Sequence, residues 1–186
     1  MSRRASYNIM GIIWAALFVW LDQWTKALAV NQLRNQEPIT LIPGVFQLHY
    51  LENRGAAFGI FQGQKWAFIV MTLLVLLVIA YLYNRIPLEK RFRWLRLIGV
   101  ALCAGAIGNL IDRMARGYVI DFFYIELIDF PIFNVADCYV TVSAVLLVVL
   151  FLFYYKDEDL EFITFFQKKK KGGGKEEHTE QGEEGQ

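Results

Sequence analysis

At 186 residues, 56% of them hydrophobic and 16% aromatic, the chain is too apolar for an ordinary soluble domain. Its formal net charge of +1 carries no footprint for nucleic acid, and its two cysteines, Cys103 and Cys138, have neither disulfide nor zinc spacing. The apolar residues gather in long runs, which points to a membrane protein.

Four runs approach spanning length, at about residues 9–30, 66–83, 97–111 and 135–155. A hydrocarbon core about 30 Å thick needs roughly 20 helical residues. The first run ends in Asp22-Gln23-Trp24-Thr25-Lys26, where Asp22 and Lys26 share a helix face at i,i+4 and can pair. Arg3, Arg4 and Ala27-Leu28-Ala29 give this run the look of a cleavable secretory signal. Asp22, Trp24 and Lys26 crowd the supposed cleavage site, however, and further spans follow, so it is read as a retained span.

Between the first two runs, Pro38, Pro43 and Gly44 break the pattern, and residues 45–50 alternate as a half-buried strand does. Glu52-Asn53-Arg54-Gly55-Ala56-Ala57-Phe58-Gly59 then forms a small-residue turn where backbone can approach a ligand closely. A small β element on the outer membrane surface, at about residues 38–60, is expected.

The third run reaches spanning length only by continuing through Asn109 and Asp112. Ala101, Gly105, Gly108, Asn109 and Asp112 share one helical face, and small residues there admit either another helix or a substrate peptide. Residues 114–133 read as an external loop, turned back by Pro131, and Asn134-Val135-Ala136-Asp137 opens the fourth run. Residues 1–155 make one membrane domain. Residues 156–186, with lysines at 168–171 and several glutamates, read as a disordered cytoplasmic tail.

Basic residues set the orientation. Arg3, Arg4, Arg85, Lys90, Arg91, Arg93, Arg96 and the lysines from Lys156 onward fall on one side of a four-span chain, so both termini are expected in the cytoplasm. Trp24 and Trp66 mark the outer interface, and Trp94, Tyr81, Tyr83, Tyr154 and Tyr155 the inner one.

Elimination narrows the chemistry. His49 and His178 are the only histidines, Ser143 lies deep in a span, and no His-Glu-x-x-His exists. Cys138 lacks an evident base and sits beside an acid that would oppose its ionisation. Carboxylates remain. Asp121 and Asp137 are expected near the outer ends of adjacent helices, where ionisable groups are costly and mark function. Two close carboxylates share a proton, so one can activate water while the other polarises a scissile carbonyl. Plainer readings stand beside this one. Asn134 with Asp137 is also a helix cap, Asp121 a solvated loop acid, Asp112 with Arg113 an ion pair ending the third helix, and Asn109 a helix–helix glue.

Five motifs in order, Asp22-Gln-x-Thr-Lys26, Asn53-x-Gly55-Ala56-Ala57-Phe58, Gly108-Asn109-x-x-Asp112-Arg113, Val119-x-Asp121-Phe122 and Phe133-Asn134-x-Ala136-Asp137, resemble the bacterial lipoprotein signal peptidases (signal peptidase II) over about residues 9–155. The resemblance implies an all-α membrane protein of four transmembrane helices, with an extracytoplasmic β-cradle and a periplasmic loop or helix. It implies Asp121 and Asp137 as a catalytic dyad. Asn53, Gly55, Asn109, Arg113 and Asn134 then match substrate-channel positions, with Asp22, Lys26, Asp112 and Ala136 in support. The implied substrate is a diacylglyceryl-modified prolipoprotein, cut just before its lipidated cysteine. No cofactor or metal is implied. Membrane lipids are the other expected partner, nucleic acid is not one, and a monomer in the bacterial cytoplasmic membrane, with its site near the outer leaflet, is expected. A proton- or cation-coupled carrier using Asp112, Asp121 and Asp137, and a non-catalytic lipid- or helix-binding module, are the rival classes.

Overall fold

The computed structural model describes residues 2–55, 64–156 and 158–159. Four helices dominate it: α1 (Arg3–Leu33), α2 (Lys65–Arg85), α3 (Arg93–Ala115) and α4 (Val135–Phe153). All four are long and apolar enough to cross a membrane by length and composition. α3 does continue through Asn109 and Asp112, as its spanning length requires.

α3 is the most buried of the four and packs against the other three. Among lipid tails there is no hydrophobic force between helices, so close packing depends on small contact residues. A Cβ on Gly105 would lie 2.6 Å from the Ala136 carbonyl oxygen and 2.8 Å from Val140 Cγ2. A side chain on Gly108 would run into the Asp22 carboxylate. The small-residue face of α3 is therefore filled by α4 and α1 at these two glycines.

Between the helices lies an antiparallel three-stranded sheet in the order β1 (Ile39–Ile42), β2 (Phe46–Asn53), β3 (Val119–Ile125). Gly44, at φ 71°, takes the left-handed conformation that the tight β1–β2 connection needs. β3 lies inside the stretch that reads as a loop in the sequence. Its first four residues are all buried, because Ile120 and Phe122 pack on Ala29 and Leu33 at the end of α1. The sheet thus stands on the C-terminal end of the first helix.

The only helical structure among residues 116–134 is a short 3-10 turn, Glu126–Ile128, closed by Asp129 in the left-handed region. The chain then returns to β3. Phe123 N–H donates to the Phe133 carbonyl at 2.8 Å, and Phe133 N–H donates to the Phe123 carbonyl at 3.0 Å. This two-way exchange delivers Asn134, and with it the start of α4, beside the strand that carries Asp121.

At the opposite end, Ile86, Phe92, Leu95 and Tyr155 form a separate apolar cluster, with Phe92 and Tyr155 stacked at 5.3 Å. Arg96 is buried there. It donates to the Ile86 and Pro87 carbonyls at 2.7 and 2.9 Å and lies over the Tyr7 and Tyr83 rings. Residue 157 and residues 160–186 of the expected tail lie outside the described residues, as do residues 56–63, which include the second half of the small-residue turn.

Candidate active site

Asp121 and Asp137 come to one place from different elements. Asp121 sits not at a helix end but in β3, opposite Leu51 of β2, with a side chain sealed from solvent rather than in a solvated loop. Asp137 is the third residue of α4. Asn134, the N-cap of that helix in an extended conformation, connects them. Its Oδ1 accepts from Asp137 N–H at 3.0 Å, while Asp137 Oδ2 accepts from Asn134 N–H at 3.1 Å, completing a capping box. The free end of the same amide, Nδ2, donates to Asp121 Oδ1 at 2.6 Å. The capping role read from the sequence and the meeting of the two acids are one arrangement.

Each carboxylate has a second amide donor. Asn53, at the end of β2, donates to Asp121 Oδ2 at 2.8 Å, and Asn109 of α3 donates to Asp137 Oδ1 at 2.8 Å. Asn109 thus joins the polar cluster itself, beyond any role in binding helices together. Burial first, and the nearby Asp137 charge second, push the Asp121 carboxyl up to about 7, against the opposing Asn53 and Asn134 donors. A carboxyl so placed keeps its proton near neutral pH.

Asn53 also turns the chain, its Oδ1 accepting from Gly55 N–H at 3.0 Å. Arg113 approaches the Gly55 carbonyl at 3.5 Å and lies 4.8 Å from the Phe68 ring centre. Asp112 and Arg113 do not form the ion pair that adjacency suggests. Asp112 instead binds Arg116, four residues on, at 2.5 Å and Lys26 at 3.0 Å. Neighbouring helical residues point apart, whereas i,i+4 residues share a face.

Beneath the pair is a sealed ionic cluster. Asp22 and Lys26 are paired, as their spacing implies, at 2.9 Å, and Asp22, Lys26 and Asp112 are all fully buried. Ala136 enters through its backbone, donating N–H to Asp22 Oδ1 at 3.0 Å. Two members escaped the sequence reading. Gln23 donates to the Gly108 carbonyl and to Asp22, both at 3.1 Å, and Arg116 pairs with Asp112. The i,i+4 step from Asp112 is the sequence signal for Arg116, whereas Gln23 has none beyond its place between Asp22 and Lys26.

Two recesses meet at the acids. A cleft of about 590 Å³ under the sheet is lined by Asn53, Asp121, Phe133 and Asp137, among others. A groove of about 370 Å³ runs between α2, α3 and α4 past Met71, Val75 and Ile79. Asn109, Arg113, Asp137 and Thr141 line both. A cleft that sets these few polar groups among Val119, Ile125, Phe133 and Val142, and opens onto an inter-helical groove, suits a substrate that is part peptide backbone and part membrane helix.

Such an architecture is that of a multi-pass membrane peptidase. The family model for Signal peptidase (SPase) II matches residues 14–153, and the chain belongs to that family. It is 45% identical over 130 residues to the lipoprotein signal peptidase of Streptococcus thermophilus (strain CNRZ 1066), covering 70% of this chain and 84% of that protein. It is 44% identical over 133 residues to the lipoprotein signal peptidase of Streptococcus pyogenes serotype M5 (strain Manfredo), covering 71% and 86%. A bacterial membrane enzyme solved by the in meso method at 2.3 Å superposes with a TM-score of 0.67 at 27% identity, over 85% of this chain and 93% of that one. A second, solved at 1.9 Å, gives 0.67 at 29% identity over 78% and 94%. The expected fold of four apolar helices with a small sheet is the one found, and the chain is a multi-pass bacterial membrane protein. Family membership sets aside the carrier and the non-catalytic module.

Proposed function

We propose that the protein is an intramembrane aspartic endopeptidase that removes the signal peptide from diacylglyceryl-modified prolipoproteins, cutting just before the lipidated cysteine. The observation that carries this reading is the Asn134 amide bonded to Asp121 at one end and to the Asp137 backbone at the other. It brings a sealed acid and a half-buried one together, where they can hold one proton between them.

Hydrolysis then needs only this pair and water. The ionised member takes a proton from a water molecule as its oxygen attacks the scissile carbonyl. The protonated member donates to the carbonyl oxygen, where negative charge develops. As the tetrahedral intermediate collapses, the C–N bond breaks and a proton passes to the departing amine. The signal peptide leaves with a new carboxyl group, and the cysteine with a free amine.

Asn53, Gly55, Asn109, Arg113 and Asn134 are the substrate-binding candidates, and Asp22, Lys26, Asp112 and Ala136 the supporting ones. The groove between α2, α3 and α4 accepts the signal helix, and the cleft under the sheet accepts the residues around the cut. The protein acts as a monomer among membrane lipids in the cytoplasmic membrane. Both termini lie in the cytoplasm and the site lies near the outer leaflet, following the distribution of basic residues.

The test is cleavage of a diacylglyceryl-modified prolipoprotein by purified Asp121→Asn and Asp137→Asn variants. Each is expected to lose cleavage by at least about a thousandfold while keeping wild-type helical content, in line with loss of both acid–base function and charge stabilisation. Undiminished cleavage by either variant overturns the assignment.

A further inference from the structure

Every polar contact of the Lys26 ammonium leads toward the carboxylate pair. Its Nζ lies 2.9 Å from Asp22 Oδ2, 3.0 Å from Asp112 Oδ2 and 2.8 Å from Asn109 Oδ1. Asp22 holds, with its other oxygen, the N–H of Ala136, the residue before Asp137, at 3.0 Å. Asp112 holds the N–H of Ile120, the residue before Asp121, at 3.3 Å. Asn109 turns its other end to Asp137 Oδ1 at 2.8 Å. One buried charge therefore secures the backbone beside both acids and touches one of them through a single amide.

The arrangement is not symmetric. Lys26 and Arg116 already match the charges of Asp22 and Asp112, so the cluster is balanced without the pair. An amide whose carbonyl binds an ammonium becomes a stronger donor at its N–H end, because hydrogen bonds in a chain polarise one another. Asp137 receives that donor, and a backbone N–H at the start of α4, where the helix dipole favours negative charge. Asp121 receives two side-chain amides, from Asn53 and Asn134, and neither has its carbonyl on an ammonium.

We propose that Lys26 is a positioning residue which, through Asn109, places the negative charge of the pair on Asp137, making Asp137 the general base and Asp121 the proton-holding acid. This rests on the peptidase reading and adds to it a division of labour. The charged and titratable groups facing Asp137 are Lys26 and Asp22 from α1, Asp112, Arg113 and Arg116 from α3, Asp121 from β3, and Cys138 on its own helix. Arg113 acts on both carboxylates and so does not by itself choose between them.

The experiment is the pH dependence of kcat for the full-length protein on a diacylglyceryl-modified prolipoprotein, comparing wild type with Lys26→Met, Lys26→Arg and Asn109→Ala. A base that loses its charge support needs higher pH to ionise. The acidic limb is expected to move up by about one pH unit or more in Lys26→Met, a tenfold change in the base's ionisation constant. Asn109→Ala, which leaves Lys26 with Asp22 and Asp112, is expected to move it the same way. Lys26→Arg is expected to restore the limb. A merely structural lysine would lower kcat evenly at all pH values. If Lys26→Met does not fold, Asn109→Ala decides: an unmoved limb there overturns the proposal. Unmoved limbs with inactive Asp121→Asn and Asp137→Asn sink the positioning role alone, whereas active aspartate variants sink the peptidase reading with it.

Discussion

Asn134 touches both acids with one amide group: its Nδ2 lies 2.6 Å from Asp121 Oδ1, and its Oδ1 accepts from Asp137 N–H at 3.0 Å. The same side chain ends one helix and ties that helix to a strand thirteen residues earlier. Its two duties are separable by substitution.

Asn134→Ser keeps a good N-cap and loses the reach to Asp121, while Asn134→Ala loses both. Thermal denaturation in detergent is expected to show Asn134→Ser near wild type and Asn134→Ala lower by about 1 kcal/mol. Both should lose about two- to tenfold in kcat, the worth of a hydrogen bond to a neutral carboxyl. Full activity in Asn134→Ser would mean that the amide only caps the helix.

Asp121 sets a pH dependence of stability with a definite sign. Its folded value of about 7 lies above the ordinary 3.8, so between those limits the folded state binds more protons than the unfolded one. Its contribution is fully favourable below about pH 4 and is lost as pH rises toward 7. The neutral Asp121→Asn variant escapes this loss. Melts at pH 4.5 and 7.5 are expected to show the variant gaining on wild type at the higher pH, and a constant difference would refute the raised value.

Gly105 carries the approach of α4. A Cβ there meets a backbone carbonyl at 2.6 Å, whereas a Cβ on Gly99 meets the edge of the Tyr83 ring at 3.2 Å. Gly105→Ala is expected to cost about 1–3 kcal/mol, as overpacking does, and to reduce cleavage by moving Asp137. Gly99→Ala serves as the comparison on the same helix, with a smaller loss of stability and unchanged cleavage. Equal melting points for the two would contradict the packing argument.

The spans were legible because the bilayer imposes length and apolarity on each run. Asp22 with Lys26, and Asn134 with Asp137, were legible because helical spacing alone brings such pairs together. β3 was not. Residues 119–122 are all buried, so the strand has no alternating face, and its partner β2 lies some seventy residues earlier. Asp112 misled for a related reason: adjacency to Arg113 is visible in the chain, while the different directions in which the two side chains point are not. The small-residue face of α3 left two occupants open, and only packing shows α4 and α1 against Gly105 and Gly108.

The double tie between Phe123 and Phe133 works as a clasp. The arch of residues 126–132 hangs beyond it and beyond the paired end of β3, so the gap between Asp121 and Asp137 is fixed by the clasp and not by the arch's length. That stretch can be redrawn, lengthened or swapped to suit a different cargo, leaving the chemistry beneath it untouched.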